Sequence, residues 1–87
     1  MQPGTPYARI ETLIRDGGQI MIGTIAPIRG AAIAHDGKKT LVMLKHRPGE
    51  PLPDLLHRLD AAIATAKATG KRVDEINNAS SDTRYEF

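Results

Sequence analysis

The stretch KKTLVMLKHRPGEPLPDLLHRLDAAIATAKATG, Lys38 to Gly70, decides the fold, because its periodicity changes once and cleanly. Thr40-Leu41-Val42-Met43-Leu44 is a run of β-favouring apolar residues, and the polar Lys45-His46-Arg47 follows it. Pro48-Gly49-Glu50-Pro51 cannot extend a strand: proline has no N–H to give a ladder and glycine has no side chain to pack. From Leu52 the period becomes helical. Leu52, Leu55, Leu56, Leu59, Ala62, Ile63 and Ala66 recur at i, i+3, i+4, i+7, one stripe of a helix, with Leu56 and Leu59 at its centre. His57, Arg58, Asp60, Ala61, Ala64, Thr65 and Lys67 fill the remaining faces. Pro51 and Pro53 suit a first turn, whose N–H groups have no helical partner. Asp54 suits the positive end of the helix dipole and stands four residues before Arg58, an i, i+4 ion pair. Lys67 lies in the last turn, and Gly70 is the natural left-handed terminator.

Working outward, Asp36-Gly37 is a turn signal ahead of the strand. Ala31 to His35 then predicts a short strand, and Thr40 to His46 the strand it pairs with. Gln19 to Ile25, rich in isoleucine, predicts another, joined through Ala26-Pro27-Ile28-Arg29-Gly30. Three consecutive strands with short connections favour an antiparallel meander. Ahead of them, Thr5-Pro6 reads as N-cap and first position of a helix with the stripe Tyr7, Ile10, Leu13 and Ile14, closed by Asp16-Gly17-Gly18. Lys71 to Ile76 reads either as a helical turn or as a brief fourth strand. Asn77 to Asp82 is too polar to pack. Tyr85 and Phe87 alternate as side chains do on an added edge strand, or belong to a disordered end.

The expected fold is α+β: a two-layer domain with a three-stranded antiparallel meander and two helices, in the order α-β-β-β-α. The domain spans residues 1–76, and residues 77–87 form a flexible polar C-terminal tail. No motif of a known family accompanies this order.

Eighty-seven residues make one domain, and a domain of this size buries a small core. There is no cysteine, hence neither a disulfide staple nor a thiolate metal site. His35, His46 and His57 lack metal-ligand spacing. No apolar run approaches the roughly 18–20 residues of a membrane span. Met1-Gln2-Pro3-Gly4 lacks the features of a signal peptide, so a cytoplasmic location is expected. With two tyrosines, one phenylalanine and no tryptophan, the core is aliphatic and a base-stacking platform is not expected. The net charge of +2 is unevenly spread. Arg29, Lys38, Lys39, Lys45 and Arg47 against Asp36 give residues 29–47 a net of +4, while residues 74–87 carry −3.

Candidate chemistry is sparse. Gly37-Lys38-Lys39-Thr40 resembles a fragment of a phosphate-binding loop, but Ala32 stands where the motif needs its first glycine and Lys39 where it needs Ser or Thr. The segment also leads into a strand, so a plain hairpin turn is expected. His35-Asp36 offers a base and a carboxylate, yet neighbours in a strand point to opposite faces and no nucleophile stands near. Asn78-Ala79-Ser80 fits a glycosylation sequon without a secretory signal. No catalytic, cofactor-binding or metal residue is therefore assigned, no small-molecule ligand is identifiable, and no enzyme activity is expected.

Two functions are weighed. Alternation puts Ile20 and Ile22 on one sheet face with Met21 and Ile25 on the other, and Val42 and Leu44 opposite Leu41 and Met43, so both faces are apolar. Two helices cover one. The first hypothesis is a non-enzymatic interaction or regulatory module that forms a homodimer through the uncovered face. The second is nucleic-acid binding by the basic hairpin, through Arg29, Lys38, Lys39, Lys45 and Arg47.

Overall fold

A computed structural model describes residues 5–25 and 28–76. The expected tail, the sequon, and the Ala26-Pro27 part of the first connector lie outside the described residues. The elements are α1 (Ala8–Arg15), β1 (Gln19–Ile25), β2 (Ile28–His35), β3 (Thr40–Lys45), α2 (Leu52–Thr69) and β4 (Val73–Asp74). They form an α+β fold with one four-stranded sheet, ordered β1-β2-β3-β4. The first three strands are the expected antiparallel meander. The sheet is nevertheless mixed, because β4 pairs parallel to β3 through Val42 opposite Val73 and Met43 opposite Asp74. Within the undecided segment after Gly70, Val73–Asp74 is therefore a strand: α2 carries the chain back across the sheet, the crossover that a parallel neighbour requires.

The meander register aligns Ile20, Ala34 and Val42 in one row and Ile22, Ala32 and Leu44 in the next. Both helices pack on this face and on each other. Ile10 and Leu13 of α1 and Leu55, Leu59, Ile63 and Ala66 of α2 join Ala32, Ala34, Val42 and Leu44 in one core. The small side chains of β2 let the helices approach closely. In α2 the apolar stripe is buried at Leu55, Leu59, Ile63 and Ala66, half-buried at Leu56, and left at 56% exposure at Leu52. Gly70 ends the helix at φ 71°, donating its N–H to the Ala66 carbonyl at 2.8 Å, a left-handed conformation that glycine adopts without strain.

Several expectations are corrected. Leu41 does not share the far face with Met43: the β2–β3 register shifts between Ala34/Val42 and His35/Thr40, and the extra residue, Leu41, turns into the core beside Val42. Helix α1 starts at Ala8 rather than Pro6, and Tyr7 rather than Thr5 is its N-cap residue, although Thr5 Oγ1 accepts the Tyr7 N–H at 3.1 Å. Ile14, counted into the α1 stripe, is 52% exposed. The second strand begins earlier, at Ile28, and the third ends one residue earlier, at Lys45. Asp60, placed by the helical period on the outer face of α2, is buried. Its Oδ1 accepts the N–H groups of Arg9 and Ile10 at 2.8 and 3.0 Å, so one helix caps the other.

Candidate interaction surfaces

The five basic residues of the hairpin lie at its two ends. Lys38 and Lys39 stand in the β2–β3 turn, which Asp36 builds by accepting both of their backbone N–H groups at 2.8 Å. Those two donors, Lys39 first, hold the Asp36 carboxyl below its ordinary range. Arg29, Lys45 and Arg47 belong to the other end, where Ala31 pairs with Lys45 and the His46 N–H meets the Gly30 carbonyl at 3.0 Å. Five strand residues, Thr40 to Leu44, at about 3.3 Å each, separate Lys39 from Lys45.

Each end has different neighbours. At the turn end, Lys39 joins Lys71 and Arg72 around a concavity of about 240 Å³ that Thr40, Leu41, Ala66 and Gly70 complete. Nothing local in the sequence marks Lys71 and Arg72, because only the parallel return of the chain brings them beside the turn. Arg72 also pairs with Asp74, Nε to Oδ2 at 3.6 Å.

At the other end the dominant cation is Arg58, and its partners differ from the one its helical spacing predicts. It engages Glu50 and Glu75 instead of Asp54. It donates through Nε to Glu50 Oε2 at 2.7 Å, through one terminal nitrogen to Glu50 Oε1 at 2.9 Å, and through the other to Glu75 Oε2 at 3.1 Å. A further bond reaches the Lys45 carbonyl at 2.8 Å. The two-pronged bond from Arg58 is the main reason that the Glu50 carboxyl is held down at about 2, and Glu50 in turn raises Arg58 above its ordinary value. This cluster ties α2 to the end of β3 and to the residue after β4.

The candidate catalytic pair dissolves into local structure. His35 Nδ1 accepts the Gly37 N–H at 3.0 Å, and Asp36 is committed to the turn. His46 Nε2 donates to the Glu50 carbonyl at 2.7 Å, and the His57 ring lies 5.1 Å from that of Tyr7. Among the described residues no group of three His, Asp or Glu is placed to hold a metal ion, and no helix is long and apolar enough to cross a membrane.

The apolar surface sits beside β1. On the sheet face away from the helices, Met21, Ile33 and Met43 align in one row. Ile33 is buried and Met43 half-buried, while Met21 is 43% exposed. On the helix side, Ile22 is 40% exposed and lines a concavity of about 260 Å³ with Gly30, His46, Leu52 and Leu55. The hollow has a simple origin. Gly30 faces the helix layer without a side chain, and α2 begins only at Leu52. A Cβ on Gly30 would lie 2.7 Å from that of His46, so the position admits only glycine unless the strand end shifts. Thus the exposed large hydrophobic residues of the sheet, Met21 and Ile22, are neighbours on its edge strand, one on each face.

Comparison with protein-family models, with curated proteins and with solved structures finds no match for this chain.

Proposed function

We propose that this protein is a non-enzymatic interaction module that works as a homodimer. The observation that carries the reading is the exposure of Met21 and Ile22, on opposite faces of β1, with Leu52 beside the second. Burying a side chain of this kind is worth about 1.5–3 kcal/mol. A second copy is the commonest cover for such a surface, and it enlarges a core that one short chain supplies sparingly. The engagement of His35, Asp36 and His46 in turn and loop contacts supports a role without catalysis. Sedimentation or light scattering at micromolar concentration tests this: the expected mass is twice the 9.4 kDa of the chain, and a stable species of 9.4 kDa without aggregation overturns it.

A second reading, nucleic-acid binding, is favoured by the three cations around the turn-end concavity, with Lys38 next to them. It assigns phosphate contacts to Lys38 and Lys39, with Lys71 and Arg72, and a lesser part to Arg29, Lys45 and Arg47. Removing one cation that neutralises a phosphate lowers the salt slope of binding by about one. The double variant Lys38→Glu, Lys39→Glu is expected to bind far more weakly. Failure of the wild-type chain to bind duplex or single-stranded RNA or DNA at low salt removes this reading.

A further inference from the structure

We infer that β1 pairs antiparallel with β1 of a second copy about a two-fold axis at Met21, joining two four-stranded sheets into one of eight strands. The inference rests on the homodimer reading and names the surface that carries it.

The two edges of the sheet are unlike. One is β1, seven residues long, Gln-Ile-Met-Ile-Gly-Thr-Ile, with no charge and no proline. Among the described residues, its outer side has no strand partner. Lysine, proline and extreme shortness, which keep an edge from pairing, are absent from it, and its one irregularity, the register shift between Gly23 and Ile25, lies beyond the regular stretch Gln19 to Gly23. The other edge, β4, is two residues long and is flanked by the Arg72–Asp74 and Arg58–Glu75 pairs. A head-to-tail contact of β1 with the β4 of another copy has only two residues of ladder to offer. The strand-length complement that a second copy presents is therefore β1 itself, and self-pairing closes after two chains.

The axis follows from the register. From Gln19 to Gly23, β1 pairs residue for residue with β2, and the register slips only between Gly23 and Ile25. Met21 is the centre of the regular part. An axis there sets Met21 against the partner's Met21, Ile20 against the partner's Ile22, and Gln19 against the partner's Gly23. Directly opposed residues in an antiparallel pair share a face. Each Ile22 beside the Leu52 hollow thus gains the partner's Ile20, and the two methionines cover each other on the far side. No charge meets a like charge anywhere along the seven residues.

The absence of cysteine makes the test direct. Opposed antiparallel residues have Cα atoms roughly 4.5–5.5 Å apart, within disulfide reach. Met21→Cys, at an exposed position, is expected to oxidise to a covalent dimer. Gln19→Cys and Thr24→Cys, whose copies lie about 13 Å and 20 Å apart in this register, are expected to stay largely uncrosslinked. Met21→Lys, which sets two ammonium groups against each other on the axis, is expected to run at single-chain mass with unchanged circular dichroism. Cross-linking that is equal at all three positions overturns the pairing. A wild-type chain of dimer mass that Met21→Cys fails to cross-link and Met21→Lys fails to dissociate also overturns it, and leaves the homodimer reading standing. A wild-type mass of 9.4 kDa removes both and turns the edge toward a strand of another protein.

Discussion

The two helices reach the same face of the sheet by different means. Helix α2 carries its own instructions: a first turn with Pro53 and Asp54, an apolar stripe from Leu52 to Ala66 along its 18 residues, Lys67 in the last turn and a left-handed glycine after it. Helix α1 has eight residues, shorter than the roughly 12–15 at which isolated helices begin to hold in water. Its N-cap residue, Tyr7, makes no side-chain cap bond. The bonds that α1 lacks come from Asp60, 50 and 51 positions along the chain from the amides it binds. One helix is thus encoded locally, and the other is conditional on the first being in place. In a small domain such dependence couples segments that propensity alone leaves independent.

Removing the anchor of α2 is the largest available perturbation of this hierarchy. Leu59 is fully buried beneath the middle of the helix. Leu59→Ala is expected to lose roughly 2–5 kcal/mol. Against a total near 5 kcal/mol, expected at the lower end for a small domain, that unfolds a large fraction of the chain. Both helices should melt together, because α1 loses its cap when α2 leaves. A denaturation midpoint equal to that of the wild type contradicts the assignment of Leu59 to the core.

Asp60→Ala separates the helices. It strands the N–H groups of Arg9 and Ile10, at an expected loss of about 0.5–2 kcal/mol. Hydrogen exchange should accelerate in α1 while α2 keeps its protection. Equal acceleration in both helices, or in neither, breaks the distinction drawn between them. Asp60→Asn, which retains an acceptor oxygen, should recover most of the protection.

Acid titration probes the Arg58 cluster, apart from both helix caps. The folded Glu50 carboxyl takes its proton only near pH 2, whereas its ordinary value is 4.5. Between those values the unfolded chain binds the proton and the folded chain does not. The stability contributed by the pair is therefore complete above about pH 4.5 and is lost as pH falls toward 2. Glu50→Gln should flatten that part of the acid limb and leave the α1 cap unchanged. An acid limb identical in variant and wild type contradicts the role given to Arg58.

What is legible in the sequence divides along the same line. The period of Leu52 to Ala66, the turn at Asp36-Gly37 and the three meander strands are local signals, and each stands where its residues place it, give or take a few positions at the ends. Alternation puts Leu41 on the wrong face because a one-residue bulge leaves no mark on it. Asp60 and Arg58 defy their helical spacing because their partners lie 50 or more positions away in one case, and 8 and 17 in the other. The candidate surfaces are half legible. The apolar character of β1 is plain in its residues, but its place at the edge depends on pairing order. Lys71 and Arg72 join Lys39 only through the parallel return of the chain.

That return also sets an order of events. Val42 and Val73, partners in the ladder, stand 31 positions apart, whereas the hairpins of the meander close over short turns. Loop-closure entropy makes the near contacts quick and the distant one slow. The two residues of β4 have nothing to pair with until β3 is seated and α2 has crossed it. β4 is therefore expected to join late in folding and to open early in local unfolding, with the Arg58–Glu75 pair and the Glu75 N–H bond to the Met43 carbonyl as the contacts that hold its end in place.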